Sequence, residues 1–204
     1  MNDHRQYAPA CERNKTPILE VLKKVLPTSG TILEIASGTG QHAVFFASQL
    51  PGIKWQPSDI NPDAIASINS WIEHEQLTNI YPPISLNIEK YFTEERPELN
   101  NITAMVCINM IHISPWTACV ALMKVANRIL SKEGILYLYG PYKRNNEHTA
   151  SSNESFDQSL RRQNAEWGVR NLEDVILVAK GEKLQLKEIV EMPANNLSVV
   201  LKKG

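Results

Sequence analysis

Short apolar runs alternate with segments of helical periodicity along most of this sequence, and that alternation is the feature that most constrains its fold. The apolar runs that predict strands are residues 31–36, 53–58, 83–88, 102–109 and 134–140. Strands that alternate with helices form βαβ units around a mostly parallel sheet, and such sheets bind ligands at the carboxyl ends of their strands. The pattern therefore predicts an α/β fold.

The segments between these runs predict the helices. The first begins at Thr16-Pro17, a capping residue followed by proline at the first helical position. Further helices are predicted over residues 41–50, 62–75 and 115–130.

The pattern changes after residue 140. Residues 143–153 are polar and predict a loop, and two helices follow over 155–166 and 171–180. Strands at 184–191 and 197–202 are close enough in sequence for antiparallel pairing.

Composition excludes several classes of protein. The chain has 204 residues, 43% of them hydrophobic, which suits one domain with a buried core. The net charge of −1 predicts no bulk nucleic-acid binding.

No apolar run approaches the roughly 18 residues of a membrane span, and no secretory signal is evident, so we expect a cytoplasmic protein without a membrane partner. The cysteines and histidines lack ligand spacing and predict no metal, while the oligomeric state stays open.

A turn with two glycines carries the strongest functional signal. The first predicted strand runs into Gly38-Thr39-Gly40, and a helix follows directly. Glycine permits a tight turn and close approach of a ligand, and the helix N-terminus offers unpaired N–H groups. The spacing also fits a dinucleotide fingerprint, which leaves an NAD-dependent oxidoreductase open. Glu34, which precedes the glycines, favours a cofactor with an ammonium group, such as S-adenosylmethionine.

Side chains at the ends of the next two strands extend the same site. Asp59 is placed to accept hydrogen bonds from both ribose hydroxyls, or else to cap the following helix. Asn87 is placed to meet the edge of an adenine, or else to form a turn. We assign the residues that follow them, Ile60 and Ile88, to the same cofactor site.

Residues 34–40 resemble the first motif of class I S-adenosylmethionine-dependent methyltransferases, with Ala36 in place of the usual first glycine. Other segments together resemble one methyltransferase-like family with bacterial and animal members, which is described as a domain of unknown function. These segments are residues 9–15, 109–116, 139–142, 156–161, 167–170 and 192–197.

The resemblance implies a Rossmann-like, seven-stranded, mostly parallel sheet with helices on both faces and an antiparallel last strand. It also implies a single domain over residues 1–204 that binds S-adenosylmethionine, with no known substrate. Residues 1–30 would fold over the cofactor, and there Arg13 would meet its carboxylate beside Asn14. Residues 143–180 would form a lid over the acceptor.

Methyl transfer from a sulfonium depends mainly on proximity and a dry site, with a base only for a protonated nucleophile. His112 is the candidate base, although a structural histidine bonded to the backbone is the alternative. Asn109 is a candidate for binding the methionine portion of the cofactor, or else a strand-end cap.

Candidates for binding the acceptor combine aromatic and polar side chains. They are Glu12, Tyr142, Asn153, Arg161 and Trp167. A solvated surface helix with an aromatic anchor is the alternative for the last three. We expect a methyltransferase for an unidentified small-molecule acceptor, and a non-catalytic cofactor-binding module remains the third alternative.

Overall fold

The computed structural model describes residues 3–95, 99 and 101–204. The chain divides into two compact units, Met1–Val106 and Cys107–Gly204. The sequence prediction of a single domain with an N-terminal cover and a lid stays a prediction. In the part of the chain that the structure describes, no helix combines the length and apolar character needed to cross a bilayer.

The first unit alternates helices with strands. In chain order it contains α1 (Pro9–Val25), β1 (Gly30–Ile35), α2 (Gln41–Gln49), β2 (Ile53–Asp59), α3 (Pro62–Glu75), β3 (Ile84–Ser85) and β4 (Ile102–Ile108), whose last two residues belong to the second unit. β1 and β2 pair in parallel, from Gly30 opposite Ile53 to Glu34 opposite Pro57, and β2 pairs in parallel with β3. Parallel pairing brings the carboxyl ends of these strands to one edge of the sheet.

Buried aromatic side chains fix α2 against the sheet of the first unit. Ile32, Phe46 and Trp55 are fully buried, and the ring centroids of Phe46 and Trp55 lie 5.5 Å apart. Burial of large side chains is the main stabilising contribution in such a core. This packing fixes the position of the turn that joins β1 to α2.

The second unit ends in antiparallel strands. It contains α4 (Trp116–Ile129), β5 (Ile135–Arg144), β6 (Glu147–His148), α5 (Ser151–Gln163), β7 (Arg170–Asn171), α6 (Leu172–Gly181), β8 (Leu184–Met192) and β9 (Asn196–Lys203). β9 is antiparallel to both β5 and β8. Its residues Val199, Val200 and Leu201 are all buried, so β9 is covered on both faces.

The main strands follow the order β3-β2-β1-β4-β5-β9-β8, with β6 and β7 paired to β5 off this path. The order confirms the predicted α/β fold, a mostly parallel seven-stranded Rossmann-like sheet, and the antiparallel last strand.

The first helix begins earlier than the sequence predicted. Helix α1 starts at Pro9, and Pro17 lies inside it. Pro17 lacks the N–H that would bond the carbonyl of Arg13, which costs helix stability. Burial of the apolar face beyond it, including Ile18 and Leu22, offsets that cost. Glu12, Arg13 and Asn14, which precede the predicted start at Thr16, therefore lie within the helix.

The third strand is much shorter than residues 83–88. It covers only Ile84–Ser85, because the chain turns at Asn87 into a 3-10 helix, Ile88–Lys90. The Oδ1 atom of Asn87 accepts the backbone N–H of Glu89 at 3.0 Å. A side chain that bonds the backbone in this way competes with the ladder of a strand.

The predicted loop at 143–153 is partly wrong. β5 continues to Arg144 and forms a hairpin with β6, in which Lys143 lies opposite His148. Helix α5 then begins at Ser151, before the predicted start. Its buried residues are Asn153, Asp157 and Leu160, and a helix face made largely of polar residues gives no hydrophobic periodicity to detect.

Candidate functional site

The turn between β1 and α2 has a backbone that depends on its glycines. Gly40 has a φ of 87°, and a Cβ there would lie 2.9 Å from the Cα of Ile68. Gly38 has a φ of 56°, yet a Cβ there would meet no atom within 4 Å. Ala36, with a φ of 55°, takes a conformation that usually favours glycine. Gly40 is thus needed for packing, whereas the space beside Gly38 is open to a ligand.

Asp59 ties this turn to the end of β2. Its Oδ2 accepts the N–H of Gly38 at 2.9 Å, and its Oδ1 accepts the N–H of Asn61 at 2.9 Å. Asp59 does not cap α3, because the side chain of Asn61 accepts the N–H of Asp63 instead. Each carboxylate oxygen has a second lone pair and can take a further donor such as a ribose hydroxyl.

Glu34 lies inside the first unit, with only 2% of its surface exposed. Its Oε2 accepts the indole N–H of Trp55 at 2.8 Å. Burial raises the pKa of Glu34 from 4.5 to about 7 and outweighs the lowering effect of that hydrogen bond. The predicted contact with a cofactor ammonium stays a prediction, and Trp55 is a partner that sequence reasoning missed.

The other residues assigned to the cofactor site at the ends of β2 and β3 differ in exposure. Ile60, directly after Asp59, is 64% exposed, whereas Ile88 is buried. Asn87 is half-buried, and its Oδ1 already accepts the N–H of Glu89. Ile60 therefore offers an apolar surface next to the Asp59 carboxylate.

The start of the chain contacts the glycine turn and the first turn of α2. The N–H of Ala8 donates to Oε1 of Gln41 at 2.6 Å, and the side chain of Gln41 donates to Glu12 at 3.0 Å. The Sγ of Cys11 lies 3.9 Å from the hydroxyl of Thr39. These contacts hold the N-terminal segment against the turn, and the predicted cover over a cofactor stays a prediction. No motif in the sequence singled out Gln41.

The other N-terminal candidates are placed by α1. Asn14 pairs its Oδ1 with Nε2 of the buried His42 at 2.7 Å. Arg13 is exposed and forms no ion pair with any residue that the structure describes. Its guanidinium is therefore free to meet a ligand carboxylate. Glu12 forms an ion pair with Lys15, and this pair lowers the pKa of the Glu12 carboxyl. Its predicted role in binding the acceptor stays a prediction.

In the second unit, three residues meet beside β5. Asn109 has a φ of 62°, and its N–H donates to the carbonyl of Tyr139 at 2.8 Å. A Cβ on Gly140 would lie 2.5 Å from Nε2 of His112 and 3.2 Å from Oδ1 of Asn109. The bare backbone of Gly140 thus leaves room for both side chains.

His112 is fully buried, and burial lowers its pKa from 6.5 to about 3, so the imidazole is neutral. Its Nδ1 accepts the N–H of Arg170 at 3.3 Å. An accepting Nδ1 places the proton on Nε2, which has no partner among the described residues. The hydrogen bonding therefore favours a donor at Nε2, and the predicted base role stays a prediction.

Tyr142 lies within β5 rather than just past it. It is fully buried, its ring centroid is 5.0 Å from that of His112, and its hydroxyl has no partner among the described residues. A buried donor without a partner is costly, so two such groups side by side are a candidate ligand site.

The remaining acceptor candidates differ in burial and in their partners. Asn153 is buried and donates to the carbonyl of Asn195 at 2.9 Å, which is a structural bond. Arg161 is exposed on α5 and pairs with Asp157, and Trp167 is half-buried. Among the described residues, no group of three histidine, cysteine or acidic side chains is placed to hold a metal ion.

Arg170 lies in the predicted lid over the acceptor, residues 143–180, but was given no binding role of its own. Its guanidinium donates to the carbonyls of Ile111 at 2.9 Å and Ser114 at 2.6 Å. The carbonyl of His112 accepts the N–H of Gly168 at 2.9 Å. Residues 168–170 thus hold the loop after β4, and the only sequence signal was a mixture of aromatic and charged residues.

Solved structures with the same fold include S-adenosylmethionine-dependent enzymes. Human N-acetylserotonin methyltransferase, in complex with SAM, has a TM-score of 0.79 and 13% identity over 96% of this chain and 53% of its own. An O-methyltransferase family 2 protein from Planctomyces limnophilus, in complex with apigenin, has a TM-score of 0.77 and 14% identity over 96% of this chain and 60% of its own. This chain thus spans a little over half the length of each, and the likeness establishes the fold.

The sequence also matches the model of a protein family. Residues 5–203 match the family described as "Protein of unknown function (DUF938)". The match covers nearly the whole sequence, including the glycine turn, Asp59, His112 and Arg170. The chain therefore belongs to the DUF938 family.

Proposed function

We propose that this protein is an S-adenosylmethionine-dependent methyltransferase that acts on a small-molecule acceptor. The observation that carries the proposal is the Asp59 carboxylate bonded to the N–H groups of Gly38 and Asn61, beside the open space at Gly38. The solved methyltransferases with this fold, one of them in complex with SAM, support it.

The first unit would hold the cofactor. Asp59 would bind the ribose hydroxyls, and the exposed side chain of Ile60 would lie against the adenine. Asn87 and Ile88 follow β3, the strand that pairs with β2. Arg13, which has no ion-pair partner among the described residues, would meet the cofactor carboxylate. When bound, S-adenosylmethionine supplies an electrophilic methyl group.

The second unit would hold the acceptor. The N–H at Nε2 of His112 and the hydroxyl of Tyr142 would donate hydrogen bonds to it and orient its nucleophilic atom. Burial keeps His112 neutral, and burial also raises the pKa of Tyr142 well above its usual value of 10. Both groups would therefore act as neutral hydrogen-bond donors rather than as charged catalysts. Their burial would keep water away from the acceptor.

Calorimetry with S-adenosylhomocysteine and with NAD(H) tests the cofactor. We expect S-adenosylhomocysteine to bind and Asp59→Asn to weaken it at least about tenfold, because an amide cannot accept both backbone N–H groups and a ribose. Asp63→Asn is the matched control, because Asp63 is an exposed aspartate in the first turn of α3 and its substitution should leave the affinity unchanged.

Each alternative function has its own outcome in this experiment. Binding of NAD(H) without S-adenosylhomocysteine would contradict the proposal and favour an oxidoreductase. If the protein binds S-adenosylhomocysteine but forms none of it from S-adenosylmethionine with any member of a metabolite panel, that result would favour a cofactor-binding module.

A further inference from the structure

A cavity in the second unit is lined by more positive than negative groups. Its volume is about 240 Å³, and Trp116, Lys143, Arg161, Arg170 and Asp174 are among the residues that line it. One water molecule takes about 30 Å³ of liquid, so the cavity has room for a small polyatomic ligand.

Arg170 brings a cation that lacks a carboxylate partner. Its guanidinium donates to the carbonyls of Ile111, Ser114 and Glu166 at 2.9, 2.6 and 2.8 Å, and it forms no ion pair with any described residue. Carbonyls fix the orientation of a guanidinium but do not neutralise its charge. Burial lowers the pKa of Arg170 and the positive charge of Arg161 also lowers it, whereas the negative charge of Asp157 raises it without forming an ion pair.

Asp157 orients the other cations without neutralising all of them. This nearly buried carboxylate lies 3.2 Å from Nζ of Lys143, 3.2 Å from Nε of Arg161 and 3.3 Å from Nε2 of His148. The N–H of Val169 also donates to it at 2.7 Å. One carboxylate therefore holds two permanent cations in place at the cavity wall.

We propose that this cavity binds a small oxyanion, the carboxylate or phosphate group of a ligand, between Lys143, Arg161 and Arg170. Asp157 is shared between Lys143 and Arg161, and Arg170 forms no ion pair among the described residues, so an oxyanion would add negative charge among three cations. An oxyanion can also accept parallel N–H bonds from a guanidinium. The centre of the Trp116 ring lies 5.7 Å from the Arg170 guanidinium carbon, and Trp116 also lines the cavity. Its ring would contact an apolar or planar part of the same ligand. This site stands independently of the methyltransferase proposal.

Titration of the full chain with sodium phosphate and with sodium benzoate, at constant ionic strength set by chloride, tests the site. We expect saturable shifts of the Trp116 indole N–H signal in NMR spectra with at least one of these anions. The comparison of the two anions identifies whether a phosphate or a carboxylate fits. No S-adenosylmethionine is needed, so the result is separate from the test of cofactor binding.

Two neighbouring arginines on α5 give a matched pair of variants. Arg161 lines the cavity, whereas Arg162 is exposed elsewhere on the same helix. We expect Arg161→Gln to weaken anion binding at least fivefold, and Arg162→Gln to leave it unchanged. Lys143→Met provides a second variant with the same expected loss. Absence of saturable binding of either anion, or equal affinity in Arg161→Gln and Arg162→Gln, would overturn the proposal.

Discussion

The polar groups of the glycine turn in the first unit are hydrogen-bonded, whereas the His112 cluster in the second unit, His112 and Tyr142, has two polar atoms with no partner in the part of the chain that the structure describes. In the turn, the carboxylate of Asp59 is bonded to backbone N–H groups while the space beside Gly38 is open. In the cluster, Nε2 of His112 and the hydroxyl of Tyr142 are buried without partners among the described residues. The turn is preformed by the backbone, whereas the cluster keeps unpaired donors at a cost in stability. The two regions should therefore respond differently to pH and to substitution.

The largest effect is expected at His112. Its pKa is about 3 in the folded chain and 6.5 in the unfolded chain, so between these values only the unfolded chain binds the proton. Its contribution to stability is present above pH 6.5 and is lost as the pH falls toward 3, by about 5 kcal/mol over the whole interval. In urea denaturation, the stability of the native protein relative to His112→Asn should increase by about 2 kcal/mol between pH 4.5 and pH 6.5.

A native protein and a His112→Asn variant with parallel stability curves would show that His112 is accessible to protons. The His112 cluster would then not be buried, and the contrast with the open glycine turn would be wrong.

Glu34 should give a smaller effect of the opposite sign in the first unit. Its pKa is about 7 when folded and 4.5 when unfolded, so only the folded chain keeps the proton between these values. Protonated Glu34 contributes about 3 kcal/mol to the free energy of unfolding below pH 4.5, and this contribution is lost as the pH rises through 7.

Glu34→Gln keeps an oxygen for the indole N–H of Trp55 and removes the ionisation. Thermal or urea unfolding from pH 4.5 to 7.5 should therefore show the native protein losing stability relative to this variant. A constant difference between the two proteins would contradict the assigned burial of Glu34.

The effects expected within the glycine turn do not depend on pH, and the smallest of all is expected at Gly38. Gly40→Ala should destabilise the protein by about 2–4 kcal/mol, because the added Cβ meets the backbone of Ile68 and the φ of 87° disfavours alanine. Gly38→Ala adds a Cβ to open space and should cost only about 1–2 kcal/mol for its φ of 56°. Urea denaturation of the two variants at pH 7 measures the difference, and equal losses would show that the space beside Gly38 is occupied.

Sequence reasoning recovered the fold because the relevant signals are local. Alternating apolar runs located β1, β2 and β4, and two glycines before a helix located the turn. The position of Asp59 at the carboxyl end of β2 followed from parallel pairing. The errors arose where a local signal had a second explanation, as with Pro17 inside α1 and Asn87 at the end of the short β3.

The sequence alone thus determined the α/β class, the antiparallel last strand and the glycine turn followed by Asp59, because periodicity and turn chemistry depend on neighbouring residues. Only the tertiary structure decided that Glu34 bonds Trp55, that Nδ1 of His112 accepts the N–H of Arg170, and that α5 buries a polar face on Asp157. These partners are distant in sequence, and their hydrogen bonds depend on the path of the chain through space. Burial then sets the charge of each group, which no local pattern of residues encodes.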